Sequence, residues 1–173
     1  MPLHYHAWTT VLNRHGLQFP EALFYQWAGM PIDQIIQRLA DQQGQRVEVQ
    51  SIATERDAYF HSLPASELRP VKAVVEIARR FLGQLPLAVA TGSTAASASA
   101  SLEAIGVLSW FDALVSSHQV ARPKPAPDVF LAAAEQIDVP PSQCVVFEDG
   151  EVGLEAAQAA DMHPVDIRPW LER

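Results

Sequence analysis

Cysteine is almost absent from this sequence: Cys144 is the only one in 173 residues. No internal disulfide can brace the fold, so its stability has to come from packing. No apolar run approaches the ~20 residues that span a bilayer, which removes a membrane as partner. The opening "PLHYHAW" is neither basic nor a continuous apolar block, so it does not read as an export signal. A lone thiol without such a signal makes the cytoplasm the expected compartment. Positive charge is scarce as well. The chain has 12 Lys and Arg against 20 Asp and Glu, a net charge of −8, which argues against a nucleic-acid backbone as partner. A local basic pocket for a small anion is still compatible with that balance.

What the chain does have is apolar content. At 49% it is too hydrophobic for disorder, and its length suits one domain with a sizeable core, or one domain plus a small insertion. The first sixty-odd residues read as helices alone. Leu3–His15 repeats apolar residues on one face and is closed by Gly16. Glu21–Ala28 stops at Gly29. A third helix starts at Pro31, sets Ile32, Ile35, Ile36 and Leu39 on one face, and ends before Gly44. A fourth runs from Val49 to Leu63.

The pattern then changes. Pro70 opens a helix with a stripe of Val71, Val74, Val75, Ala78, Phe81 and Leu82. Short apolar runs follow at Pro86–Thr91, Phe111–Ser117, Cys144–Phe147 and His163–Ile167, with helices expected at Thr94–Ile105, Pro127–Ile137 and Gly150–Ala160. Short continuous apolar runs mark strands buried on both faces. Their alternation with helices predicts an α/β fold with a doubly wound parallel sheet. The expected organisation is a helical segment over residues 1–67 and an α/β segment over 68–173.

Ligands of open parallel sheets bind beyond the carboxyl ends of the strands, and three such ends carry unusual residues. In "ATGST", Thr91, Gly92 and Ser93 lead into a helix, offering a hydroxyl and free amides to an anion, or an ordinary N-cap. In "RPKPAPD", Lys124 is stiffened between two prolines, ready to neutralise a phosphoryl oxygen, or simply solvated. In "VVFEDG", Glu148 and Asp149 put two like charges side by side at an apolar strand end. A hard cation such as Mg²⁺ would answer that repulsion; so would a solvated acidic turn.

Together, in this chain order, "TGS", "KPAPDVF" and "VVFEDGEVGLEAAQAADM" resemble the second, third and fourth motifs of the haloacid dehalogenase-like hydrolases. The closest likeness is to the β-phosphoglucomutase-like branch with a helical cap and to its fructose-1-phosphate phosphatases. Gly150 and Asp161 depart from the usual fourth motif. The resemblance covers essentially the whole chain and implies a phosphatase of small phosphorylated sugars. The adjacent acidic pair implies metal-dependent phosphoryl chemistry rather than dehalogenation. On that reading, Thr91, Gly92 and Ser93 hold phosphoryl oxygens, Lys124 neutralises charge and fixes the nucleophile, Glu148 and Asp149 hold Mg²⁺, and His4 faces the substrate. The partner expected is a small phosphorylated metabolite, bound by a monomer.

The family's first motif, D-x-D-G-T, which supplies the nucleophilic Asp on a central strand, has no match here. Its loss should leave an apolar gap flanked by two unpaired strand edges. The expectation is that Met1 is an internal methionine and that the nucleophile lies upstream, so that this chain alone is inactive. A sugar mutase and a non-catalytic relic are the competing readings. Ile32 weakens the mutase, since the sugar mutases carry an arginine near that place. Arg56, in the fourth helix, is placed to reach a substrate from the helical segment or, as is usual for arginine, to be solvated, and the solvated state is the expectation; Trp8, Trp27, Trp110 and Trp170 are expected to be packing residues.

Overall fold

The structure, a computed structural model, describes residues 2–171. Met1, Glu172 and Arg173, at the ends of the two expected segments, lie outside the described residues. Four helices come first: α1 (Pro2–Arg14), α2 (Glu21–Gln26), α3 (Ile32–Gln43) and α4 (Val49–Ser62). α3 shows how the sequence dictates the packing. Ile35, Ile36, Leu39 and Ala40 recur at helical spacing, and all four are buried. Gly44 then closes the helix in the left-handed conformation, φ 64°, returning its amide to the Asp41 carbonyl. These side chains meet Val11, Leu12, Leu17 and Ile52 in one apolar cluster. Each fully buried aliphatic chain contributes roughly 1.5–3 kcal/mol.

The remaining helices are α5 (Lys72–Phe81), α6 (Ala95–Ala104), α7 (Asp128–Gln136) and α8 (Glu151–Ala159). The strands are β1 (Ala88–Thr91), β2 (Ala113–Ser116), β3 (Val145–Glu148) and β4 (His163–Asp166). β1, β2 and β3 start later than their apolar runs, whereas β4 starts with its run at His163. Leu87 is held by Asp112, whose carboxylate accepts its amide at 2.9 Å. Cys144 donates its amide back to Pro141, closing a turn, so β3 begins at Val145 and takes in Glu148. Cys144 itself is only half-buried.

Each strand runs parallel to its partner, and the four form two separate ladders. β1 pairs with β2, setting Thr91 opposite Ser116, and β3 pairs with β4, setting Glu148 opposite Asp166. β1 and β3 are not hydrogen-bonded to each other. The two ladders share one core, in which Val115, Val129, Phe130, Ala156 and Ala157 pack with Ala90 and Val146. Beside this core α5 buries none of its residues, so its apolar stripe is only partly covered. No helix among the described residues is long and apolar enough to cross a membrane.

Candidate active site

The carboxyl ends of β1 and β3 open into one cavity of about 320 Å³, at the lower end of the range for small-molecule sites. Its floor carries Thr91, Gly92, Ser93, Lys124, Glu148 and Asp149; its roof carries His4, Trp8, Trp27, Ile32 and Arg56 from the helical segment. The inner edges of the two ladders reach it through Val89, Ala90 and Phe147. The residues expected from sequence are therefore brought together in one place.

Lys124 is 4% exposed and bridges the two ladders. Its ammonium donates to Glu148 Oε2 at 2.7 Å and to the Ala90 carbonyl at 3.3 Å, and it stands 4.5 Å from the centre of the Phe130 ring. Two of its three protons are thus used on the protein. The loop that carries it is anchored from outside: Arg122 makes a forked pair with Asp128, 2.8 Å at the shorter arm.

Both oxygens of Glu148 are engaged. Oε2 accepts a hydrogen bond from the Lys124 ammonium, and Oε1 accepts from the amides of Asp149 and Gly150, each at 3.1 Å. α8 makes room for it at Gly153, where a Cβ would overlap the Glu148 carboxylate. A glycine inside a helix costs roughly 1 kcal/mol against alanine; here it has that packing reason. Sequence reading passed over Gly153, although an unforced glycine inside a helical run three residues after "EDG" was the signal.

Asp149 differs from its neighbour. Burial first, and then the Glu148 charge, push its carboxyl up to about 6. Negative charge is therefore in excess at this spot, which a divalent cation would relieve. No group of three or more His, Cys, Asp or Glu forms a metal cage among the described residues. Mg²⁺ commonly takes only one or two protein carboxylates and fills its shell with water and phosphate oxygens, so Asp149 fits as a ligand. Glu148, its oxygens already occupied, fits as the group that fixes the loop.

At the end of β1, the Thr91 hydroxyl accepts the Ser93 amide at 3.1 Å, and Thr94 caps α6 by accepting from Ser97. The roof presses closely here. A Cβ at Gly92 would overlap the Gly29 carbonyl, and one at Gly150 would meet the Ala28 carbonyl. Only glycine lets the backbones of the two segments approach this far.

The roof corrects one expectation. Arg56 is not solvated; it is 3% exposed. Its guanidinium lies 5.0 Å from the Trp8 ring centre and 5.2 Å from that of Phe60, the stacking geometry that suits a weakly hydrated cation. It donates to Asp57 at 3.0 Å and to His4 Nδ1 at 2.8 Å. His4 is stacked on Phe60 with centroids 4.1 Å apart. Burial, and then the Arg56 charge, lower its pKa to about 3, so it is neutral. His6 turns elsewhere, to the Tyr59 hydroxyl. Trp8 and Trp27 are buried in the core and also line the cavity, whereas Trp170 is 42% exposed.

A family model described as haloacid dehalogenase-like hydrolase matches residues 1–161. The chain is 36% identical over 167 residues to the fructose-1-phosphate phosphatase YqaB of Escherichia coli K12, covering 96% of this chain and 88% of that protein. It is 30% identical over 167 residues to validoxylamine A 7'-phosphate phosphatase of Streptomyces hygroscopicus subsp. limoneus, covering 93% and 76% respectively. In fold it is similar to the crystal structure of a β-phosphoglucomutase from Clostridium difficile, with TM-score 0.80 and 20% identity over 95% of this chain and 76% of that one.

Proposed function

Because this chain belongs to the haloacid dehalogenase-like hydrolase family, we propose that it serves as a Mg²⁺-dependent phosphatase of small phosphorylated sugars. In this reading it works through an aspartyl-phosphate whose nucleophilic Asp lies outside these 173 residues. The observation that carries this reading is the meeting of Thr91, Lys124 and Asp149 in one cavity, at the carboxyl ends of two ladders whose facing edges lack a strand between them. A strand set there, parallel to its neighbours, would deliver a carboxylate beside the third proton of Lys124. The name of the Escherichia coli relative supports a sugar monophosphate as substrate. A cytoplasmic monomer is part of the same reading.

The residues divide the work. Lys124 holds a phosphoryl oxygen and keeps the incoming carboxylate charged. The Thr91 hydroxyl and the Gly92 amide take further phosphoryl oxygens at the helix start. Glu148 keeps Lys124 in place, and Asp149 is the carboxylate that would hold the metal. When bound, Mg²⁺ supplies charge neutralisation on the phosphoryl oxygens. The aromatic roof excludes water from the leaving group. A mutase reading needs a second cationic site; in the roof Ile32 is apolar and the charge of Arg56 is already paired with Asp57.

The test is a version extended at its N-terminus by an apolar strand ending in D-x-D-G-T. It should release phosphate from fructose 1-phosphate in Mg²⁺ and stop in excess chelator, while Asp149→Ala should be inactive yet melt no lower than its parent without metal. Equal rates with and without chelator, or an active Asp149→Ala variant, would remove the metal from this site.

A further inference from the structure

The loop after β2 makes a contact that no role given above uses. β2 ends with Ser116 opposite Thr91, and the chain then turns through Ser117–Gln119. The Gln119 side chain pins that turn: its oxygen accepts the Ser116 amide at 2.8 Å and the Ser116 hydroxyl at 2.9 Å. Ser116 and Ser117 are both buried. From this fixed place the Ser117 hydroxyl reaches across to the exit of β1 and donates to the Gly92 carbonyl at 2.9 Å. Ser117 itself is not one of the residues that line the cavity.

The Gly92 carbonyl and the Ser93 amide belong to one planar peptide unit. Ser117 holds its oxygen, and the Thr91 hydroxyl accepts its N–H at 3.1 Å. The unit is thus clamped at both ends. Residue 92 needs that clamp. It has to be glycine, because the Gly29 carbonyl fills the space of a Cβ, and glycine restrains its own backbone least. The orientation of the unit sets what Thr91 can do. A hydroxyl that accepts the Ser93 amide keeps its own proton for a ligand. Turned over, the unit would aim its carbonyl at Thr91, and that proton would be spent on the protein. We propose that Ser117 is a positioning residue of the phosphate loop: without touching the ligand, its hydroxyl fixes the Gly92–Ser93 peptide and so keeps the Thr91 proton available to a phosphoryl oxygen. This rests on the phosphomonoester reading of the floor.

Binding of inorganic phosphate to the 173-residue chain tests the assignment, followed by titration calorimetry and by the backbone amide signals of Gly92 and Ser93. In the parent, phosphate should shift both signals. Ser117→Ala should bind phosphate roughly 2–10-fold more weakly, the worth of one hydrogen bond. Its Ser93 amide should also exchange with solvent faster before any phosphate is added. Ser101→Ala is the comparison. It loses another hydroxyl-to-carbonyl bond of 2.9 Å, inside α6, and should keep the parent's phosphate affinity. Ser117→Thr retains the hydroxyl and should return the affinity to near that of the parent. Should Ser117→Thr fail to fold, the Ser93 exchange rate in Ser117→Ala still decides. An unchanged exchange rate, an equal loss of affinity in Ser101→Ala, or a folded Ser117→Thr no better than Ser117→Ala overturns the inference. If phosphate shifts Gly92 and Ser93 in the parent and Ser117→Ala binds it equally well, the positioning role fails and the floor stands. If the parent binds no phosphate there, both fail.

Discussion

Removing the Lys124 ammonium should be among the most damaging single changes in this protein, although it deletes only one charge. Lys124→Met keeps most of the aliphatic stem against Phe130 and leaves Glu148 buried, without its cation, beside Asp149. The two pair members are 4% and 10% exposed, so water cannot take over from the lost partner. Stripping one partner from a buried ion pair costs roughly 3–5 kcal/mol. For a domain of this size each kcal/mol lowers the melting temperature by roughly 2–4 °C, so Tm should fall by about 6–20 °C. The double variant Lys124→Met/Glu148→Gln removes the orphaned charge while a side-chain oxygen still accepts the Asp149 and Gly150 amides. It should recover at least half of the loss. Urea unfolding of parent, single and double variants reads all of this. A single variant within about 1 kcal/mol of the parent, with the double variant no better, would show that the bridge between the ladders carries little of the stability.

Gly153→Ala should break the usual rule for helices: instead of gaining up to ~1 kcal/mol it should lose about 1–3, because the new methyl collides with the Glu148 carboxylate; a stabilised variant in thermal melts would refute the close packing. Neutral His4 predicts an acid weakness. Its pKa falls to about 3 in the fold from 6.5, so the unfolded chain binds the extra proton first, and stability present above pH 6.5 is lost as pH drops towards 3. The limit is about 5 kcal/mol; His4→Gln should flatten that part of the stability–pH curve, and an unchanged curve would contradict the buried, neutral state.

Much of the site was legible because its residues sit at strand ends or in the loops that follow them. Thr91 and Asp149 stand where an apolar run stops and a turn begins, Lys124 was marked by the two prolines that flank it in the loop after β2, and the chain order of the three loops was enough to group them. The strand starts were less legible. Backbone hydrogen bonds of Leu87 and Cys144 are spent locally, and composition does not report that. The burial of Arg56 was not legible for a different reason. Arginine is usually at the surface, and only the fold shows that α4 turns it between Trp8 and Phe60. The engagement of Glu148, as distinct from Asp149, could not be read from two adjacent acidic letters. It depends on which carboxylate meets Lys124 and the turn amides. The division of the sheet into two ladders did have a sequence counterpart, the missing D-x-D-G-T, and the half-covered face of α5 accompanies it.

The central claim is that residues 1–173 supply the floor and roof of a phosphatase site while the nucleophile comes from a segment outside them. The most direct measurement is mass spectrometry of the extended version, acid-quenched during turnover of fructose 1-phosphate and digested. The account predicts one phosphoryl group on the first Asp of the added D-x-D-G-T segment, lost on treatment with base or hydroxylamine as an acyl phosphate is, and none when that Asp is replaced by Asn. A phosphoryl group on any residue from Met1 to Arg173, or robust turnover by the 173-residue chain alone, would contradict it.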